Sequence, residues 1–226
     1  MQDDDAERIA QLEADNRRLR MLLDRSGAAA ELRHGLRNTV ALLRIVIRRS
    51  AQTPRDIESF VAHVEDRLDV IARTHGKLDE ADAVDLHLLV AEEMLLYGES
   101  EGERLRIDGP AFELDRGPAL ALALALHELA ANAIEHGPLG AGAGKVDVSW
   151  EVKSGEPPRL HFVWTEVGPF VGAPSSHVGF GWEVLTKMVR YELDATVSFQ
   201  LRDDEVRWSM EAPVSKLRRN DPRRSD

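Results

Sequence analysis

Three groups of residues in this chain have types and spacings suited to chemistry. The first is His34, with Glu31 three residues before it and Asn38 four residues after it. On a helix, residues three and four apart are neighbours, so a carboxylate and an amide lie within reach of the imidazole. Partners of that kind can fix the tautomer of a ring that acts as a nucleophile. The second is the run Leu126-His127-Glu128-Leu129-Ala130-Ala131-Asn132-Ala133-Ile134-Glu135-His136-Gly137. Glu128 and Asn132 stand at i and i+4 and share a helix face. The amide oxygen of Asn132 is a hard ligand suited to magnesium, which keeps most of its waters and binds phosphate oxygens. Glu128 is placed to orient a metal-bound water or a nucleotide. The third is Gly179-Phe180-Gly181 at the start of a predicted helix. Glycines let backbone approach phosphate, and a helix N-terminus supplies N–H groups to it. Each group taken alone has an ordinary explanation: a surface histidine, an Ala/Leu-rich core helix with a polar outer face, and a common glycine pattern.

The elements that must position these residues follow from periodicity. A helix is predicted over about 28–50. Its stripe Leu36, Val40, Leu43 and Ile47 falls within roughly 60° at 100° per residue, and His34 lies roughly 160° from Leu36, facing water. Thr53-Pro54 ends this helix. A second helix is predicted over about 55–76, with Ile57, Val61, Val64, Leu68 and Ile71 as its stripe. The two make a helical hairpin, and two hairpins from two chains close a four-helix bundle. Upstream, Ile9, Leu12, Asn16, Leu19 and Leu23 follow the a/d spacing of a coiled coil. Asn16 at an a position selects a parallel, in-register dimer, and Asp15 and Arg20 fall at g and e. The alternative is one amphipathic helix packed on its own domain. A homodimer through coiled coil and hairpin is the expectation.

After residue 79 the pattern changes. A helix over 85–96, a strand over 104–107 and the Gly109-Pro110 turn precede a strongly helical run over 118–135. Gly137, Gly140, Gly142 and Gly144 then form a loop. Strands are predicted over 145–152 and 159–164, a helix over 182–191, and strands over 195–202 and 205–212. Helices alternating with antiparallel hairpins imply an α+β layer, with helices on one face of a mixed sheet.

Composition narrows the function classes. With 226 residues, 43% hydrophobic and 31% charged, the chain is globular and holds one to two domains. A formal net charge of -11 argues against broad nucleic-acid binding, which needs clustered Lys and Arg. The basic tail from Lys216 to Arg224 is short and is taken as a solvated end. The absence of cysteine excludes disulfides and thiolate chemistry. No run approaches 18 apolar residues, and the N-terminus is acidic with no apolar stretch behind it, so a cytoplasmic protein is expected.

In order, Glu31 to Asn38, the His127 to Gly137 helix, Trp164-Thr165-Glu166 and Gly179-Phe180-Gly181 resemble the HWE-type sensor histidine kinases. That family is named for a His in the N box and a Trp-x-Glu motif, here His127, Trp164 and Glu166. The resemblance covers roughly residues 31–213. It implies a dimerization and phosphotransfer hairpin followed by a Bergerat-type ATP-binding domain. By this carry-over His34 accepts the γ-phosphoryl group of Mg-ATP, helped by Asn38 and Glu128, and passes it to an Asp of a response regulator. His127, Asn132, Glu166, Gly168, Gly179 and Gly181 belong to the nucleotide site, with Asn132 as the Mg2+ ligand and Glu166 in the place of the Asp that recognises adenine. The expected domains are 1–27 coiled coil, 28–80 hairpin, 81–214 catalytic domain and 215–226 basic tail. The signal is expected from a separate sensor protein or through the coiled coil.

The chain departs from the family pattern in four places. Glu135 and His136 stand where Lys and Tyr are usual. One glycine remains in Val167-Gly168-Pro169. His177-Val178 stand where an Arg precedes Gly-Phe-Gly, and Trp182-Glu183 follow it in place of a small residue and an Arg. Lost cations would weaken triphosphate binding, and Trp182 would crowd the phosphate path. Two alternatives follow: a histidine phosphotransferase relaying phosphate between regulators through His34, and a non-enzymatic dimeric scaffold.

Overall fold

The computed structural model describes residues 57–81, 83–140, 142–170 and 180–218. The coiled coil, the first hairpin helix, His34, Asn38, Gly179 and most of the basic tail lie outside the described residues.

Helix α1 (Ile57–Glu80) leads into β1 (Ala83–Asp85) and α2 (Leu86–Leu96). Asp85 caps α2, its side chain accepting from the Leu88 N–H at 2.9 Å. Strands β2 (Leu105–Asp108) and β3 (Glu113–Asp115) precede the long helix α3 (Arg116–Glu135). A hairpin follows, of β4 (Lys145–Lys153) and β5 (Arg159–Val167). Helix α4 (Phe180–Glu183) continues through a π-helical segment (Val184–Met188) into α5 (Val189–Glu192). Strands β6 (Thr196–Leu201) and β7 (Glu205–Pro213) and the short helix α6 (Val214–Leu217) complete the described elements.

The main sheet has the order β2-β4-β5-β7-β6. Only the β2–β4 pair is parallel. Alternation along each strand sends one row of side chains inward. Val148, Trp164, Trp208 and Phe199 face one another in register, as do Trp150, Phe162, Met210 and Val197. Trp150 stacks on Phe162 at 6.2 Å, and Phe162 meets Trp208 edge-on at 6.0 Å. The outer faces of β4 and β7 alternate in polar and charged residues, as expected of a sheet covered on one side. A second, two-stranded ribbon pairs β1 with β3. Strands of three residues give no periodic signal, and sequence reading did not find them.

Helix α3 carries the core. Its Ala119 to Leu126 segment is buried all round. Alternating Ala and Leu lets neighbours approach at the small positions and fills space at the large ones. By length and composition α3 is apolar enough to cross a membrane, but 67% of that apolar window is buried inside this domain. We read it as a core helix.

Helix α1 differs from expectation in two ways. It continues through Gly76 to Glu80. The face it buries comprises Arg67, Val70, Ile71, Thr74 and Leu78. The predicted stripe lies roughly a quarter turn away on the helical wheel. Of that stripe only Ile71 is buried, while Ile57 is 81% and Val61 45% exposed. The stripe was drawn from apolar residues alone, and the packed face includes an arginine and a threonine that apolar counting passes over. Thr74 satisfies its hydroxyl on the Val70 carbonyl at 2.9 Å.

The helix after the glycine turn begins at Phe180 and is interrupted by a π segment. Wider turns displace carbonyls from the regular ladder. One of them, at Leu185, accepts a hydrogen bond from Trp208 Nε1 at 3.2 Å.

Candidate functional site

Helix α3, strand β5 and helix α4 carry most of the described candidate residues; Glu128 of α3 meets Gly181 of α4, and Glu166 of β5 meets Gly137 just past α3. Glu128 is buried, and both its oxygens accept from Arg67 of α1: Nε to Oε1 at 2.7 Å and Nη2 to Oε2 at 3.0 Å. Arg67 Nη1 donates to the His63 carbonyl at 2.7 Å, which fixes the guanidinium fork against its own helix. Gly181 of α4 also lies against this carboxylate. A first side-chain carbon at position 181 would lie 2.7 Å from Glu128 Oε2. Glu128 is thus in contact with both the Arg67 guanidinium and Gly181 of α4.

Asn132, one turn further along α3, is exposed. The face shared by Glu128 and Asn132 is therefore divided: α1 covers the carboxylate and leaves the amide open. His127 points elsewhere. Its Nδ1 lies 2.8 Å from Glu93 Oε1 and 3.2 Å from the Tyr97 hydroxyl. With Glu93 accepting, the neutral ring carries its hydrogen on Nδ1. Glu93 Oε2 lies 3.5 Å from Arg73 Nη2, a second link from α1. Burial, then the nearby carboxylates Glu93, Glu128, Asp66 and Glu135, raise the Tyr97 phenol, so it remains a hydroxyl.

Glu166 occupies an inward position of β5, in register with Val146 and Val206. A carboxyl in this apolar row is 3% exposed. Burial pushes it up to about 7, although the Trp164 Nε1 donor, 2.9 Å from Oε1, acts in the opposite direction. Gly137, just past the end of α3, closes on the other oxygen: a first side-chain carbon there would lie 2.7 Å from Glu166 Oε2. Gly168 has φ +140 and packs on Gly144 and Pro138, in a conformation that side-chain-bearing residues rarely adopt.

Two of the sequence departures acquire a location. Trp182 is 42% exposed and meets Phe199 of β6 edge-on at 5.2 Å. Glu183 pairs with Lys187 one turn along, at 2.9 Å. Glu135 and His136 are exposed at the end of α3. Sequence reasoning missed Arg67, Glu93 and Tyr97. Arg67 lies 61 positions from its partner. The signal that was available is its place beside Val70, Thr74 and Leu78 at helical spacing. Among the described residues, no group of three or more His, Asp or Glu is arranged to hold a metal ion alone.

The mixed sheet with α3 across it is a histidine-kinase catalytic-domain fold. The histidine kinase domain of the EL346 blue-light-activated histidine kinase from Erythrobacter litoralis aligns with a TM-score of 0.54 at 16% identity, covering 80% of this chain and 95% of that one. The structure of the longer EL346 protein aligns with a TM-score of 0.57 at 12% identity, covering 81% and 60%. Residues 31–111 match the model of the HWE histidine kinase family. Blue-light-activated histidine kinase 1 of Erythrobacter litoralis is 38% identical over 144 residues, which is 62% of this chain and 39% of that protein. A blue-light-activated histidine kinase of Rhizobium johnstonii is 27% identical over 209 residues, covering 91% and 56%. The chain thus spans about two fifths to just over half the length of these relatives.

Proposed function

We propose that this chain is a protein-histidine kinase that takes the γ-phosphoryl group of Mg-ATP onto His34 and passes it to an aspartate of a response regulator. The observation that carries the reading is Glu166. A carboxyl placed in an apolar row costs stability once ionised, which marks it as a candidate functional group. Its oxygens lie beside Trp164 and the Gly137 backbone, where a buried acceptor suits the amino group of adenine. Asn132 is the open amide on α3, placed for Mg2+ whose remaining ligands would be phosphate and water. Gly168, Gly179 and Gly181 supply backbone approach to the nucleotide. His127 sits behind this face with Glu93, supporting α3.

In the reaction a ring nitrogen of His34 attacks the γ-phosphorus, the bond to the bridging oxygen breaks and ADP departs. Asn38 and Glu128 are assigned to orientation and proton handling. Phosphoryl transfer demands mainly positioning and charge neutralisation, which suits a site with few strongly reactive side chains. The pairing of Glu183 with Lys187 and the contact of Trp182 with Phe199 favour the kinase over a relay with a lost nucleotide site. In each case the departing residue is engaged within its own element or on the sheet edge. We assign residues 1–27 to a coiled coil, 28–80 to the phosphotransfer hairpin, 81–214 to the catalytic domain and 215–226 to a basic tail. The working form is a homodimer through coiled coil and hairpin, in the cytoplasm, with input from a sensor protein or the coiled coil.

The test is incubation of the full chain with γ-labelled Mg-ATP. Acid-labile label that disappears in His34→Ala is expected. No label and no ATP binding would refute the kinase. Label delivered to His34 by a phosphorylated regulator would then establish the relay instead.

A further inference from the structure

The acid that the kinase reading assigns to the reaction is, in this structure, already occupied. Arg67 takes both oxygens of Glu128, at 2.7 and 3.0 Å, and the side chains of the pair are each 7% exposed. Gly181 packs its backbone on the same carboxylate. A carboxylate whose two oxygens are both taken by a guanidinium fork is not free to engage a reacting group, and this one is closed off from solvent.

We propose that Arg67 is a positioning residue of the phosphoryl-transfer site, holding Glu128 out of the reaction for as long as α1 is docked on α3; this rests on the kinase reading above. Two observations support a restraining role over a purely architectural one. A buried ion pair contributes little stability beyond what a well-packed apolar pair would give, so the fold alone does not call for one here. The same helix also reaches the adjacent residue of α3, because Arg73 meets Glu93 and Glu93 holds His127. Two arginines of α1 therefore bear on two consecutive residues of α3, one directly and one through a carboxylate. Withdrawal of α1 would release Glu128 beside Gly181 and loosen the support of His127 in one movement. Arg67 is thus the residue through which the position of α1 sets the availability of the acid.

The experiment compares the full chain with Arg67→Gln, which keeps an amide donor for Glu128 but removes the charge and the fork. Initial rates of labelling by γ-labelled Mg-ATP are measured across ATP concentrations. Amide hydrogen exchange of 57–80 and 116–135 is measured in parallel. In Arg67→Gln the rate should rise roughly fivefold or more, within the usual range of coupling between sites, at an unchanged KM for ATP. Exchange over 57–80 should quicken while 116–135 stays protected. A rate that is unchanged or lower despite faster exchange in 57–80 overturns the proposal. So does a faster rate with no change in exchange. No label in either protein defeats the kinase reading and this proposal with it, whereas label in the parent and no gain in the variant defeats this proposal alone. If Arg67→Gln does not fold, Arg67→Lys decides by the same two readouts, with a smaller gain expected.

Discussion

Replacing Glu166 by glutamine should stabilise this protein at alkaline pH and do little at acid pH. The carboxyl rises from its ordinary 4.5 to about 7 because it is buried. An acid whose folded value is raised keeps its proton in the fold after the unfolded chain has lost it. Stability is therefore highest below about pH 4.5 and falls as pH climbs through 7, above which both states are ionised and the loss is complete. A rise of about 2.5 units at about 1.4 kcal/mol each gives a cost of about 3 kcal/mol at pH 8 and under about 1 kcal/mol at pH 5. Glutamine keeps an oxygen for the Trp164 donor and carries no charge. Its amide nitrogen must sit against Gly137, so about 3 kcal/mol is an upper bound on the gain. For a domain of this size that corresponds to a rise in Tm of about 6–12 °C at pH 8. The assay is denaturant unfolding of both proteins between pH 5 and pH 8. A Glu166→Gln protein no more stable than the parent at pH 8, or an advantage that fails to shrink toward pH 5, would refute the argument. In a nucleotide-binding assay at pH 8 the same substitution should weaken ATP, separating the stability of the fold from its use.

Other expectations follow from contacts of the same kind. Arg67→Ala leaves Glu128 buried without its main partner and should destabilise by about 3–5 kcal/mol, whereas Arg67→Met with Glu128→Leu should come within about 1 kcal/mol of the parent; urea unfolding of the three proteins checks both values. Gly137→Ala places a methyl carbon 2.7 Å from the Ala133 Cα and from Glu166 Oε2, and backbone cannot yield as a side chain can. It should cost about 1–3 kcal/mol by thermal unfolding, and any label obtained from Mg-ATP should fall.

Much of this arrangement was legible in the sequence. Strands β4 and β7 alternate cleanly, and the Ala/Leu run of α3 can only be buried, so the α+β layer followed. What the sequence did not reveal has specific causes. The β1–β3 ribbon is too short to show a period. The packed face of α1 is built around Arg67, and an arginine enters a core only where a carboxylate awaits it. That carboxylate is supplied from 61 positions away, a distance no local pattern spans. Glu166 was identified by motif, but its burial depends on register: it is inward because Trp164 is inward, and both are fixed by pairing with β4 and β7.

The bond between Trp164 and Glu166 also makes the protein an optical instrument. Of the four tryptophans, Trp150, Trp164 and Trp208 are buried and only Trp182 is substantially exposed. A soluble quencher will remove the emission of Trp182 and leave that of the core. Within the remaining light, the indole of Trp164 donates to a carboxylate that changes charge near neutrality. Its emission should shift as Glu166 titrates and lose that shift in Glu166→Gln, giving a label-free signal of the charge state of the proposed adenine site.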